Sequence, residues 1–208
     1  MKFVDKLIRR FVEASTGIVG GEIANFIENG EDVLDFGCGN MMVANVIKNK
    51  RKVAITGIDS VDYNLTENRL ILYDGKRIPF GDSKFDTVVS SLVFHHCDDP
   101  EAALRECVRV SRKKVIVIED YYTSALGKFR TKVVDWIANR IQSGEINIPF
   151  NFKSVPEWEK TFSENGLDIV AKKSFRIPTS PNKYMLFVLN KRQNIRLKSR
   201  DVSIVSAV

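Results

Sequence analysis

Two carboxylates and a glycine turn form the part of this sequence best suited to chemistry. Asp35 lies in the apolar run of residues 33–36, which predicts a buried strand, and the turn Gly37-Cys38-Gly39 follows directly. Asp59 lies twenty residues after Gly39, at the end of a second apolar run. A carboxylate in that place can accept hydrogen bonds from both ribose hydroxyls of a bound nucleoside. The spacing therefore predicts a site for an adenosine-containing cofactor.

Asp35 also distinguishes between the cofactors that such a turn can hold. A carboxylate just before the turn repels the pyrophosphate of a dinucleotide but attracts the ammonium and sulfonium groups of S-adenosylmethionine. A dinucleotide fingerprint that began at Gly37 would also need a small residue at position 42, which is Met42. The residues therefore favour S-adenosylmethionine over NAD. A tight strand-to-helix turn without any ligand remains the alternative.

Catalytic candidates follow two further apolar runs. His95 and His96, the only histidines of the chain, end the fourth run, at the sheet edge that faces ligands in doubly wound folds. His95 is the predicted proton acceptor, because imidazole titrates near neutral pH. Tyr121 follows the fifth run, after Glu119 and Asp120, and is the second candidate. The alternatives are histidines that only shape the loop and a solvated acidic turn with packed tyrosines.

Apolar runs and helical patterns alternate along the chain, which predicts an α/β fold. The predicted strands cover residues 32–36, 53–58, 70–73, 87–94, 115–118, 168–171 and 184–189. The predicted helices cover residues 3–12, 22–28, 42–50, 101–112 and 124–141, and a further helix opens with the capping box at 154–157. Prolines between the last two strands predict a hairpin. The fold predicted is a doubly wound, mostly parallel seven-stranded sheet with an antiparallel edge hairpin.

Residues 32–121 resemble the class I S-adenosylmethionine-dependent methyltransferases, especially the small-domain group that includes the ubiquinone and menaquinone C-methyltransferases. Beyond the glycine turn, Asp74-Gly75 looks like that family's third-strand acid, and residues 78–80 and 83–86 look like its aromatic turn and its lead into strand four. The resemblance implies a Rossmann-like fold, S-adenosylmethionine as cofactor and methyl transfer as the activity. It also implies that Asp74 accepts from the adenine amino group and that residues 90–92 line the methionine end.

The pattern and the resemblance together predict one cofactor-binding set at four strand ends. Its members are Asp35, Phe36, Gly37, Cys38, Gly39, Asp59, Ser60, Asp74, Gly75, Ser90, Ser91 and Leu92. The sequence departs from the family in three places. Met41 replaces a usual third glycine and can crowd the methionine carboxylate, the link from Asp59 to Asp74 is short for a helix, and residues 111–114 replace a proline-glycine turn.

The chain is predicted to form a single methyltransferase domain over residues 1–192, followed by a basic tail over 193–208. Within the domain, residues 1–28 are predicted to form N-terminal helices and residues 122–166 a lid insertion over the acceptor. Neither a signal peptide nor a membrane span is predicted. The three cysteines lack CxxC or Cys/His spacing, which predicts reduced thiols, no metal site and a cytoplasmic location.

The charge distribution bears on the methyl acceptor. The net charge is +6, and residues 191–208 supply +4 of it from five basic residues and one acidic residue, which leaves +2 for the body. The sequence therefore favours a small-molecule acceptor, and the alternative is a tRNA or other RNA methyltransferase that uses the basic tail. A third alternative, motivated by Met41, is a non-catalytic S-adenosylmethionine-binding subunit. The acceptor atom and the oligomeric state are not predicted.

Overall fold

The structure, a computed structural model, describes residues 2–142, 149–178 and 180–192 of the chain. The strands are β1 (Asp32–Phe36), β2 (Ala54–Asp59), β3 (Arg69–Leu72), β4 (Phe85–Ser91), β5 (Ser111–Tyr121), β6 (Leu167–Phe175) and β7 (Lys183–Lys191). The helices are α1 (Lys2–Ala24), α2 (Met42–Lys50), α3 (Pro100–Val110), α4 (Ala125–Gln142) and α5 (Val155–Glu164), with a 3-10 turn at Phe94–His96.

The strands form one seven-stranded sheet in the order β3-β2-β1-β4-β5-β7-β6. The first five strands pair in parallel, whereas β7 runs antiparallel to both β5 and β6. Phe36, at the end of β1, pairs with Ile58 on one side and Ser90 on the other. The carboxyl ends of these three strands therefore lie side by side. The predicted mostly parallel sheet with an antiparallel edge hairpin is confirmed.

Apolar residues on both faces of the sheet make two core layers, as a buried parallel sheet requires. On one face, Leu104 of α3 and Trp158 of α5 pack with Phe94 and Phe187. On the other face, α1 and α2 supply Val19, Ile23 and Ile47, together with the fully buried Met41. Covering the sheet on both faces leaves its carboxyl edge as the place where ligands bind in such folds.

The first helix is longer than predicted. The helix expected at residues 3–12 continues through three glycines into the first part of the one expected at 22–28, as the single helix α1, which ends at Ala24. A Cβ added to Gly20 would lie 2.7 Å from the Cβ of Val46 on α2, so the missing side chain lets the two helices approach closely. Gly17, by contrast, has nothing within 4 Å of such a Cβ.

The ends of every strand except β1 also differ from the prediction, and two of these differences bear on the site. β4 ends at Ser91 and not at residue 94, because Leu92 adopts φ 60° and turns the chain out of the sheet. Residues 111–114, which stand where a turn was expected, extend β5 at its beginning. The link between β2 and β3 contains no helix, as its length predicted, and the capping box that opens α5 is confirmed. None of the described helices combines the length and apolar character needed to cross a membrane.

Candidate active site

The glycine turn after β1 is fixed by contacts with its two neighbouring strands. Gly37 has φ +67°, and a Cβ there would collide with the side chain of Val93, so a larger residue would meet both strain and a steric clash. The backbone N–H groups of Gly37 and Cys38 both donate to the carbonyl of Ile58, at 2.8 and 3.2 Å. The turn is therefore held between the end of β2 and the loop after β4.

Met41 lies beneath the turn and not across it. Its backbone is left-handed, with φ 62°, and its side chain is fully buried. A Cβ added to Gly57 of β2 would collide with the Met41 sulfur and lie 2.7 Å from its terminal methyl carbon. Gly57 therefore provides the space that Met41 fills. The side chain that was expected to crowd the ligand packs into the core.

Asp35 is a buried carboxyl group with an unused oxygen. Its side chain is 2% exposed, and among the described residues Oδ2 has no hydrogen-bond partner. Burial raises the pKa of Asp35 to about 7, and repulsion from Asp59 adds to the rise. The hydroxyl of Ser90, on the adjacent strand β4, is likewise buried without a partner in the described structure. A cationic ligand at this place would satisfy the carboxylate.

Asp59 joins the end of β2 to the glycine turn. Its Oδ2 accepts from the Gly39 N–H at 2.8 Å, and its Oδ1 accepts from the Ser60 N–H at 2.7 Å. The residue is half-buried, and an ionised carboxylate offers about four acceptor positions. Asp59 can therefore accept a ligand hydroxyl while it keeps the turn in place.

Asp74 lies next along the same edge, because the Tyr73 N–H donates to the carbonyl of Asp59 at 3.1 Å. Asp74 is exposed, and its Oδ1 accepts from the Lys76 N–H at 2.9 Å, which lowers the pKa of the carboxyl group. Gly75 has φ +75° in the turn between them. Asp35 in β1, Asp59 at the end of β2 and Asp74 two residues after β3 thus lie at the carboxyl ends of three adjacent strands.

The remaining members of the predicted cofactor set lie on β1, β4 and the following loop. Phe36 is buried, Cys38 is nearly so, and Ser91 and Leu92 are half-buried. The Leu92 N–H donates to the carbonyl of Ile118 at 2.8 Å, which fixes the loop that leads to the histidines. The predicted set therefore spans one continuous edge of the sheet.

His95 is held by a buried carboxylate at the end of β5. Glu119 Oε2 lies 2.6 Å from His95 Nδ1, while Glu119 Oε1 accepts from the N–H groups of Val93 and Phe94 at 3.2 and 2.8 Å. Both side chains are 1% exposed. Glu119 therefore fixes the 3-10 turn and the orientation of the imidazole ring together.

A second carboxylate, from α4, faces the other side of the histidine pair. Asp135 Oδ1 lies 3.4 Å from His95 Nε2 and 3.8 Å from His96 Nε2. Burial on its own lowers the pKa of His95, but attraction by Glu119 and Asp135 outweighs it and the pKa rises to about 10. His95 thus lies between two carboxyl groups, and its role as proton acceptor stays a prediction.

The segment before α5 covers this cluster. Phe152 stacks on the His95 ring with centroids 4.5 Å apart, and the Asn151 N–H donates to the His95 carbonyl at 3.2 Å. The Asn151 side-chain amide also donates to the carbonyl of Cys97 at 2.8 Å. The predicted lid region thus supplies both a cover and a carboxylate, although part of it, residues 143–148, lies outside the described residues.

Tyr121 lies at the end of β5, but its hydroxyl is hydrogen-bonded to Ser174 on β6, with 3.0 Å between the oxygens. The neighbouring Asp120 is buried, and burial raises its pKa to about 7. Its Oδ2 accepts from the side-chain amide of Asn182 at 2.9 Å. The structure therefore groups His95 with Glu119 and Asp135, and it directs the Tyr121 hydroxyl towards the outer hairpin.

A family model and a curated relative match the central part of this chain. The family model described as "Methyltransferase domain" matches residues 34–118, a range from the middle of β1 to the end of the apolar part of β5. A demethylmenaquinone methyltransferase from Thermotoga maritima is 33% identical over 101 residues, which are 44% of this chain and 44% of that protein. The chain therefore spans less than half the length of the curated relative that it matches.

Solved structures extend the likeness in fold to most of the chain. A SAM-dependent methyltransferase from Thermotoga maritima has a TM-score of 0.64 at 19% identity, over 92% of this chain and 97% of that one. A methyltransferase solved in complex with the Trm112 activator, from Haloferax volcanii, also scores 0.64, at 18% identity over 84% and 90% of the two chains. At these identities the likeness is one of fold, because this fold hosts different sites.

Proposed function

We propose that this chain is a class I S-adenosylmethionine-dependent methyltransferase that transfers a methyl group to a small-molecule acceptor, as its fold and its matched core support. Bound S-adenosylmethionine would supply the methyl group, on a sulfonium sulfur that leaves as the thioether of S-adenosylhomocysteine. The acceptor atom provides the electron pair for the new bond and, where it carries a proton, loses that proton. The residues of this chain bind and align the two reactants.

The observation that carries this proposal is the unused oxygen of Asp35. A buried carboxyl group without a partner costs stability, and a cationic ligand beside the glycine turn would offset that cost. Asp59 would hold the ribose and Asp74 the adenine amino group, since they lie at the carboxyl ends of the neighbouring strands β2 and β3. A dinucleotide would instead bring its pyrophosphate towards the anionic Asp35, which argues against NAD.

A small acceptor is supported by the cover over His95. Asn151, Phe152 and Asp135 enclose the histidine from the lid region, so the space beside the cofactor edge is closed on this side. A polymer such as RNA would need an open, basic face there. The basic tail at 193–208, on which the RNA alternative depends, lies outside the described residues, so that alternative stays a prediction.

We place His95 and Tyr121 on the side of the proposed site that binds the methyl acceptor. His95 is positioned by Glu119 beside the loop that contacts the glycine turn, whereas the Tyr121 hydroxyl would first have to leave Ser174. Neither residue belongs to the cofactor set. Replacing either one, as His95→Ala or Tyr121→Phe, should therefore reduce methyl transfer while S-adenosylhomocysteine binding is retained.

Calorimetric titration tests the cofactor part of the proposal. We expect micromolar binding of S-adenosylmethionine and S-adenosylhomocysteine, no binding of NAD, and a loss of binding in Asp59→Ala. The control is Asp62→Ala, an exposed carboxylate three residues further along that lies outside the predicted set. Binding of NAD, or of none of the three ligands, would contradict the proposal.

Methyl transfer is then measured with methyl-labelled S-adenosylmethionine against separate pools of small metabolites and total RNA. Label in a small molecule supports the proposed acceptor class. Label in RNA that is lost on deleting residues 193–208 would replace it with the RNA alternative. Tight cofactor binding without transfer to either pool would favour the non-catalytic subunit. A partner protein is then the next addition, since one fold relative was solved with an activator.

A further inference from the structure

The histidine pair and Asp135 form a cluster that the cofactor site does not use. Each of His95, His96 and Asp135 offers one ligand atom, and these three atoms lie within 4.8 Å of one another. The histidines come from the 3-10 turn after β4, and Asp135 comes from α4, about forty residues later in the sequence. The fold brings these three side chains together, although their spacing in the sequence predicted no metal site.

The distances in this cluster suit a shared metal ion. Tetrahedral coordination with bonds of about 2.1 Å places two donor atoms roughly 3.4 Å apart. The Asp135 oxygen lies 3.4 Å from His95 Nε2 and 3.8 Å from His96 Nε2. Small side-chain rotations would bring all three donors to one ion. Two imidazoles and one carboxylate are ligands that suit transition metals such as Zn²⁺ and Co²⁺ better than Mg²⁺ or Ca²⁺.

The surroundings of His95 are also those of a metal ligand. Metal-binding histidines commonly donate the other ring N–H to a carboxylate, which fixes the tautomer and aims the free nitrogen at the metal. Glu119 provides this contact, at 2.6 Å from His95 Nδ1. Phe152 stacks on the ring and keeps it in place. The buried Nε2 then faces Asp135, on the side where the ion would bind.

We propose that His95, His96 and Asp135 bind one divalent transition-metal ion next to the cofactor edge, with Glu119 positioning His95 from behind. Three protein ligands leave at least one coordination position open, which an oxygen of the acceptor can occupy. The cluster is close to the cofactor edge, because Val93, two residues before His95, packs against Gly37. Metal binding does not depend on the proposed methyl transfer and is measured without it.

The test uses the full chain after treatment with a chelator. Zn²⁺ is titrated by calorimetry, and Co²⁺ is titrated by the visible absorption of the bound ion. We expect one ion per chain. Glu119→Gln should weaken binding about 10- to 100-fold, as loss of a carboxylate behind a metal-bound histidine does, and His96→Ala or Asp135→Asn should weaken it at least as much.

The controls separate this cluster from adventitious sites. Cys97→Ser removes the nearest thiol and Asp62→Asn an exposed carboxylate, and both should bind Zn²⁺ like the wild type. The chain has only two histidines, both in the cluster, so histidine ligation elsewhere is excluded. Thermal unfolding confirms that each variant is folded, and His96→Gln replaces His96→Ala if the latter is not.

Two results would overturn the proposal. One is the absence of stoichiometric binding, which would leave His95 in contact with Glu119 and Asp135 without a metal ion. The other is binding that is equally tight in the His96 and Asp135 variants. Failure here leaves the proposed cofactor binding unaffected, since that is measured separately with Asp59→Ala.

Discussion

Asp35 shows how a binding residue can oppose the stability of the fold that holds it. The carboxyl group lies inside the sheet, where ionisation is costly, and among the described residues nothing bonds to Oδ2. Its pKa of about 7, against 3.8 for an ordinary aspartate, expresses that cost. The difference corresponds to roughly 4 kcal/mol when the group is ionised. A cationic ligand reverses the balance, because it needs the charged form.

Replacing Asp35 by asparagine should therefore stabilise the ligand-free protein at high pH. Between pH 3.8 and about 7 the folded state binds more protons at Asp35 than the unfolded state does, so this residue lowers stability as pH rises through that window. We expect Asp35→Asn to gain up to about 4 kcal/mol over the wild type between pH 4 and pH 8. Urea unfolding at several pH values measures the difference.

Asp32→Asn is the matched control, at the other end of the same strand. It should show no such pH-dependent gain. A difference between Asp35→Asn and wild type that stays constant with pH would mean that Asp35 ionises in the folded state much as it does in water.

The residues of the proposed cofactor site could be predicted from the sequence, whereas the contacts around His95 could not. Asp35, the glycine turn and Asp59 follow local rules, because each stands at the end of an apolar run. Asp135 has no such signal. The sequence shows only a polar residue within a helical pattern. The distance from Asp135 to His95 depends on how α4 packs. The pairing of Glu119 with His95 likewise depends on the parallel register of β4 and β5.

Among the elements, the loop after β4 relies on one side chain. Glu119 accepts from two backbone N–H groups and contacts His95, all in a buried setting. Removing it, as Glu119→Ala, leaves these groups unsatisfied and should cost about 3–5 kcal/mol of unfolding free energy. Chemical denaturation measures this loss.

Glu157 offers a comparison with equally many partners on the surface. It accepts from the N–H and hydroxyl of Ser154 and from the hydroxyl of Tyr122, in the exposed capping box of α5. Glu157→Ala should cost only about 1 kcal/mol, as losses of helix caps do. Similar losses of unfolding free energy in Glu119→Ala and Glu157→Ala would show that burial does not increase the contribution of Glu119 to stability.

The contact between α1 and α2 gives a second prediction at this scale. Alanine favours helices over glycine by about 1 kcal/mol, so Gly17→Ala, with open space around it, should raise the melting temperature. Gly20→Ala should lower it, because the new Cβ meets Val46 and the helices must separate, at a cost of about 1–3 kcal/mol. If both variants are stabilised, the two helices do not pack as closely as the structure has them.

The same contact explains why α1 was predicted as two helices. Glycines at 17, 20 and 21 interrupt the helical pattern in the sequence, and glycine weakens helices in isolation. Packing against α2 outweighs that weakness. The strands of the parallel core were easier to predict, because burial on both faces makes them apolar throughout, whereas their ends were set by single residues such as Leu92.

For the whole molecule, cofactor binding should appear as stability. A ligand that binds only the folded state at 100 times its dissociation constant adds about 2.7 kcal/mol. We expect S-adenosylhomocysteine to raise the melting temperature of the wild type and of Asp62→Ala, but not of Asp59→Ala. The gain should be larger at pH 8 than at pH 6, since the bound ammonium group needs Asp35 ionised. A rise in melting temperature that does not vary with pH would mean that Asp35 does not interact with the bound ligand.

The contact between Met41 and Gly57 has a consequence for how this sequence can evolve. A side chain at position 57 collides with the methionine, so enlarging that residue first gives an intermediate in which two groups need the same space. Replacing Met41 by glycine first gives an intermediate with a cavity, which also relieves the left-handed backbone at that position and is the lesser defect. The order that changes position 41 first is therefore the less costly route away from the present pair.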